Sequence, residues 1–289
     1  FDYFLAQAEK RKKQDSNSSY GSWISTLNHL HRYERRNDIT FADITQRWVQ
    51  GFRDYLDREG CNMRTRNDRR PLSPNSKQEY FGKLKAALRQ AYNDGIIRDN
   101  PTRSTNGFHH EEVTREYLTL EEIRTLAATD CDRPEVKRAF LFSCLTGLRR
   151  SDVERLTWDE VKQFDGRTRL VFRQKKTGGQ EYLDITPQAA QLAGARGAAA
   201  GDSRVFGNIF APPTTNKVLR TWTRRAGIGK HITFHCARHT FAVLMLTLDT
   251  DIYTVSKLLG HRELRTTQIY AKIVDRKKQQ AVDNIPEIF

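Results

Sequence analysis

TFHCARHTFAVLMLTLDTDIYTVSKLLGHRELRTTQIY, residues 233–270, is the stretch on which the reading of this chain turns. Its apolar spacing predicts a helix over about 234–247 and a second over about 251–258, with Gly260 as the stop. On the first helix His235 and Arg238 are three residues apart, so they share a face. His261 follows the glycine directly, and Tyr270 comes nine residues later. His235 and His239, four apart, invite a zinc reading. No glutamate follows the first histidine as in His-Glu-x-x-His, and the cation of Arg238 lies between the two ligands. No metal site is therefore expected, and His239 is assigned a structural, buried place.

Two further motifs lie upstream. TGLRRSD at 146–152 follows an apolar helical run containing Phe140, Leu141, Phe142 and Leu145. Its glycine lets the chain turn, and Arg149 then stands near a helix start, where free backbone amides also favour an anion. Asp152, one helical turn on, can orient a neighbouring cation or histidine, or cap a helix. KKTGG at 175–179 sits between two short extended runs and reads as the turn of a β-hairpin. Cutting a phosphodiester without a metal needs a nucleophile, positive charge on the phosphoryl oxygens and an acid for the leaving oxygen. A tyrosine, two arginines with planar paired donors, and a lysine or histidine meet those needs. Each residue alone is ordinary. Their joint order and spacing are not.

Composition agrees. The 289 residues carry 49 Lys and Arg against 35 Asp and Glu, a net charge of +14, and are 37% hydrophobic. That balance belongs to a folded protein with a polyanionic partner. No apolar run reaches the roughly 20 residues of a membrane span, and no signal-peptide pattern opens the chain. Four scattered cysteines suit a reducing, cytoplasmic setting. The start at Phe1 suggests a fragment or a processed form. Other chemistries lack their motifs: there is no Gly-x-x-x-x-Gly-Lys loop and no Ser-x-x-Lys.

Along the chain, helices are expected at 1–15, 20–36, 45–59 and 74–94, the last with Ser73 as N-cap ahead of Pro74. Basic residues recur on these elements and in the polar loop at 61–73. Arg64, Arg66, Arg69, Arg70, Lys77, Lys83 and, from the hairpin, Lys175 are the expected phosphate contacts. A Pro-marked, weakly apolar stretch follows Asp99 and predicts a domain boundary. Thr119 and Glu122 form a capping box. Helices are expected at 119–129, 134–146 and 150–156, then the hairpin of 169–174 and 181–185. An Ala-rich helix and loop follow at 187–204, further helices at 214–226, 234–247 and 251–258, helical turns around Tyr270, and a last helix near 275–283.

The order Arg149, lysine in a hairpin, His-x-x-Arg, Leu-Leu-Gly-His, tyrosine resembles the tyrosine recombinases, also called phage-type integrases, over nearly the whole chain. The contexts of TGLRRSD and LLGH look like integrases of bacterial mobile elements such as conjugative transposons. The resemblance implies a mainly α fold with a small β component. A helical, SAM-like core-binding domain would occupy 1–105, a linker 106–116 and a mixed catalytic domain 117–289, the two domains clamping DNA as a C. It implies Arg149, His235, Arg238 and His261 as transition-state stabilisers, Asp152 as their support, and Tyr270 as the nucleophile that forms a 3′-phosphotyrosine link. Lys176, which directly precedes Thr-Gly, would be the acid, with Lys175 the alternative. It implies no cofactor. It also implies a double-stranded DNA site, a homotetramer passing through a Holliday junction, a C-terminal tail docked on a neighbour, and DNA-bending accessory proteins. A type IB topoisomerase and a non-catalytic DNA-binding relative are the competing readings.

Overall fold

The computed structural model describes all residues except 15–16, 63–69, 112–114, 176–177, 208, 210, 272–281, 284–285 and 287–289. The chain forms two compact units, Phe1–Val113 and Thr114–Phe289. The division falls inside the 106–116 stretch expected as a linker. Among the described residues no helix is long and apolar enough to cross a membrane.

The first unit is helical: α1 (Asp2–Gln14), α2 (Asn17–Tyr33), α3 (Gln46–Arg58) and α4 (Pro74–Asn93). Thr45 caps α3 by accepting from the Trp48 amide, and Ser73 caps α4 by accepting from the Ser76 amide. Each such cap stabilises its helix by about 1 kcal/mol. Trp23, Phe52, Leu56 and Phe81 are fully buried at the centre, each contributing about 1.5–3 kcal/mol of transfer free energy. Phe4 packs on Trp23 with ring centroids 4.7 Å apart, which fixes α1 to α2.

The second unit opens with α5 (Leu120–Ala128), whose capping box is complete. Thr119 Oγ1 accepts from the Glu122 amide, and the Glu122 carboxylate accepts from the Thr119 amide. Then come α6 (Pro134–Thr146) and the short α7 (Arg150–Val153), which ends well before the expected residue 156. A 3-10 turn leads into β1 (Val161–Phe164), β2 (Arg167–Arg173) and β3 (Gln180–Ile185), an antiparallel sheet in the order β1-β2-β3. After it come α8 (Pro187–Ala193), α9 (Pro212–Arg225), α10 (Phe234–Thr247), α11 (Ile252–Leu258) and α12 (Arg265–Ala271). The fold is mainly α with a small sheet, as expected. The last helix expected near 275–283 falls almost wholly outside the described residues.

Strand β1 is the element that sequence reading missed. It lies at the sheet edge, with three of its four residues exposed, so no apolar alternation marks it. Its signal is the turn. Asp165 and Gly166 have φ of 48° and 72°, the two positive values that a type I′ hairpin turn requires, and Asp-Gly is a preferred pair there.

The core of the second unit is α6 against α10. Phe140 meets Trp222 and Phe234 edge-on, at 6.0 and 5.8 Å between centroids. Gly147 ends α6 at φ 70°, and a Cβ there would stand 2.6 Å from Cδ1 of Phe241. The glycine therefore serves both the left-handed turn and the close approach of α10. That approach sets Arg149, just beyond it, beside Arg238.

Candidate active site

Side chains from distant places in the sequence converge at this junction. Arg149 is the N-cap of α7. Its Nη1 donates to Gln174 Oε1 at 2.7 Å, and its guanidinium lies 4.0 Å from Asp152 Oδ2. Asp152 is almost fully buried, and its Oδ1 accepts from the Lys175 amide at 3.0 Å. The carboxylate thus joins α7 to the mouth of the β2–β3 hairpin.

Arg238 is 3% exposed. It donates through Nη1 to the Gly147 carbonyl at 2.8 Å and through Nη2 to the Leu259 carbonyl at 2.5 Å. One buried guanidinium therefore ties the end of α6 to the turn after α11. Burial, then the positive charge of Arg149, pulls its pKa down to about 9. Two guanidinium groups repelling each other in a desolvated place are most stable with an anion between them. The adjoining cleft is lined by Gly147, Asp152, Gln174, Glu181, Arg238 and Leu259.

His261 is held in the turn after α11. Its amide donates to the Ser256 carbonyl at 3.0 Å, and its Nδ1 pairs with Thr267 Oγ1 at 2.7 Å, which fixes the ring. His235 is exposed at the start of α10, its ring edge-on to His239 with centroids 4.5 Å apart. Among the described residues no group of three or more His, Cys, Asp or Glu converges as metal ligands.

Tyr270, on α12, is 3% exposed, and its hydroxyl lies 2.6 Å from His239 Nδ1. Burial pushes the phenol pKa up, while Arg238, Arg115 and Arg149 pull against that rise. Burial, then His235 and nearby cations, pulls His239 down to about 3, so its ring is neutral at physiological pH. The phenol and Nδ1 therefore share a neutral hydrogen bond whose direction is set by the imidazole tautomer. The sequence reading gave His239 a structural place. It is buried, and it also holds the tyrosine hydroxyl. The missed signal was its position one residue beyond Arg238, on the helix that carries the pair.

Gln174 and Glu181 were missed as well. Gln174 is 4% exposed and touches Arg149. Glu181 on β3 has its pKa raised by burial, against the pull of Arg149 and Arg238. Neither belongs to a motif that spacing alone could mark.

The expected phosphate contacts divide. Arg64, Arg66 and Arg69 lie outside the described residues, as does Lys176, the expected acid. Lys77 Nζ is engaged by the Asp57 carboxylate at 2.7 Å, an ion pair that braces α4 on α3. Lys83 lies 5.9 Å from the Trp23 ring centroid. Arg70 and Lys175 are exposed.

The histidine–phenol pair has a direct thermodynamic test. His239→Leu strands a buried hydroxyl and is expected to cost about 1–3 kcal/mol in urea unfolding. The same change costs less once Tyr270→Phe has removed the hydroxyl, with a coupling of about 1 kcal/mol. Strictly additive losses would show that the two side chains are not bonded. Acid supplies a second reading. The folded pKa of about 3 lies below the ordinary 6.5, so between those values the folded state binds fewer protons than the unfolded chain. Stability falls as pH drops through that window, and His239→Leu flattens the fall.

Comparison with known proteins gives a consistent result. The phage integrase SAM-like domain matches residues 1–109, and the phage integrase family matches residues 116–277. A tyrosine recombinase of Pseudothermotoga lettingae is 24% identical over 259 residues, covering 86% of this chain and 85% of the relative. A lambda integrase, solved as a tetramer bound to a Holliday junction, superposes with a TM-score of 0.67 at 18% identity, covering 91% of this chain and 76% of that one. The integrase of the Tn1549 transposon, solved with transposon right end DNA, superposes with a TM-score of 0.69 at 14% identity, covering 95% and 98%.

Proposed function

The chain belongs to the phage integrase family, and from that premise we propose that it cuts and rejoins DNA at specific sites through a covalent link between Tyr270 and a 3′ phosphate. The observation that carries this is the placing of two mutually repelling arginines, Arg238 buried and Arg149 half-buried, within electrostatic reach of one tyrosine hydroxyl.

In this reading a scissile phosphate enters between Arg149 and Arg238. Their charge offsets the negative charge that grows on the phosphoryl oxygens during attack. The Tyr270 oxygen bonds to phosphorus as its proton passes to a neighbouring histidine, His239 or His235. The bond from phosphorus to the 5′ oxygen breaks, and that oxygen takes a proton from a hairpin lysine, Lys176 or Lys175. His261 donates to a phosphoryl oxygen, and Asp152 keeps Arg149 and the hairpin in register. The product is a phosphotyrosyl diester and a free 5′-hydroxyl. A 5′-hydroxyl from a partner strand then gives its proton to the lysine and attacks the diester, and Tyr270 leaves, recovering its proton from the histidine. One diester replaces another, so no energy source enters the balance.

The proposal includes pairwise exchange on two duplexes by a tetramer through a Holliday junction, as the lambda integrase assembly suggests. The segment after Tyr270 would dock on a neighbouring protomer, and DNA-bending proteins would shape the site. The Tn1549 relative supports a source in a bacterial mobile element. Arg70, Lys83 and Lys175, with Arg64, Arg66 and Arg69, would hold phosphates along the duplex.

The test starts from a pool of nicked duplexes with a randomised core. The pool is incubated with the protein and a chelator, and DNA that stays attached after denaturation is recovered and sequenced. A recurring core sequence, followed by joining of the captured strand to a second duplex, is the expected result. Relaxation of a supercoiled plasmid lacking that core, with no joining between duplexes, would instead support the topoisomerase reading. Binding with no attachment would support a DNA-binding relative.

A further inference from the structure

We propose that Gln174 is the positioning residue of this site, its side-chain amide holding the Arg149 guanidinium in fixed relation to Arg238 and to the start of the hairpin turn at Lys175. The inference rests on the strand-cleavage reading above and adds to it the means by which the two arginines meet one phosphate together.

Three sets of contacts meet at Gln174. Its Oε1 accepts from Arg149 Nη1 at 2.7 Å. Its Nε2 faces the Leu259 carbonyl at 3.5 Å, the same carbonyl that Arg238 grips. Its backbone closes the hairpin turn: its amide donates to the Gly179 carbonyl, and its own carbonyl accepts from the Gly178 amide, both at 2.9 Å. The hairpin turn at Lys175 is therefore anchored by the residue that orients Arg149. A displacement of either is transmitted to the other through one short, buried side chain.

The place is built for this amide. Gly260 has φ 60°, and a Cβ there would overlap the Gln174 amide and the Glu181 carboxylate. The turn preceding His261 is thus bare where the glutamine lies. The chemistry of the acceptor also matters. Arg149 hydrogen-bonds to a neutral oxygen, while the nearest carboxylate, Asp152, stands at 4.0 Å and has one oxygen committed to the Lys175 amide. A neutral partner aims the guanidinium without cancelling its charge, which leaves that charge for the phosphate. A glutamate in the same place would fix the geometry and compete with the phosphate.

The test compares wild type, Gln174→Ala and Gln174→Glu in single-turnover formation of the denaturation-resistant adduct. The probe is a nicked duplex bearing the core sequence that wild type captures. It is prepared with an ordinary scissile phosphate and with each of the two methylphosphonate diastereomers, in which a neutral methyl replaces one non-bridging oxygen. Gln174→Glu keeps the size of the side chain, so it remains informative if the alanine variant folds poorly. On the ordinary phosphate both variants should be about 10- to 100-fold slower than wild type at saturating DNA, the size expected for a misaligned group. On the diastereomer whose methyl occupies the place gripped by Arg149 the deficit should largely vanish, because there is little charge left for the arginine to meet. On the other it should persist. A variant that keeps the wild-type rate on phosphate, or loses the same factor on all three probes, would overturn the inference, the second outcome marking a merely structural role. No adduct from wild type on any probe would overturn the strand-cleavage reading itself, and this inference with it.

Discussion

Tyr270→Phe is expected to bind the captured core DNA with wild-type affinity and to form no denaturation-resistant adduct. The phenylalanine keeps the ring among the buried residues Phe241, Val243, Leu246, Val255 and Leu259, so packing is preserved. Only the hydroxyl is lost, and with it the oxygen proposed to attack the phosphate. The loss removes a hydrogen bond to a neutral histidine, worth about 1 kcal/mol, so the variant should stay folded. Cleavage should fall to the background of the assay, because a second tyrosine in that place would require α12 to be rebuilt. The readout is a denaturing gel, with a filter-binding curve on the same preparation. An adduct that survives the substitution would mean that another of the ten tyrosines is the nucleophile.

Arg238 combines chemistry and architecture, and its substitutions should separate them. Arg238→Ala leaves the carbonyls of Gly147 and Leu259 without their donor, at about 1–3 kcal/mol for each group left unpaired and buried. It also removes half of the positive pair. Adduct formation should drop by at least about 100- to 1,000-fold, the cost of deleting one preorganised charge donor, with a clear fall in unfolding midpoint. Arg238→Lys keeps the charge, but a single ammonium cannot span both carbonyls and also face a phosphate. It should recover part of the stability and little of the rate. A lysine variant with wild-type single-turnover cleavage would show that the forked guanidinium is not required. Melting curves beside quench-flow cleavage at saturating DNA distinguish the two effects.

Much of the site could be read from the sequence because its chemistry is written in residue types at short range. His235 and Arg238 share a face because three residues make nearly one helical turn. Thr119 with Glu122, and Ser73 ahead of Pro74, mark helix starts because unpaired amides need acceptors close in sequence. The hairpin of β2 and β3 follows from two extended runs around a glycine-rich turn. Edge strand β1 escaped because burial, not backbone geometry, produces alternation, and that strand buries almost nothing.

What the sequence determined by itself was a set of candidate groups, their order and the local elements that carry them. The tertiary structure decided which of those groups meet. Arg149 bonds across 25 residues to Gln174, His239 across 31 to Tyr270, and Arg238 across 91 to Gly147. Periodicity records that a side chain faces inward, and it is silent about which inward-facing side chain of another element it will meet. For His239 that is the difference between a core histidine and the hydrogen-bond partner of the Tyr270 hydroxyl. For Gln174 it is the difference between a strand-end amide and the group that aims an arginine. Close packing of α6 on α10 at Gly147, of the turn after α11 on the β2–β3 hairpin at Gly260, and of α10 on α12 makes those choices, because it brings the backbones near enough for these side chains to bond.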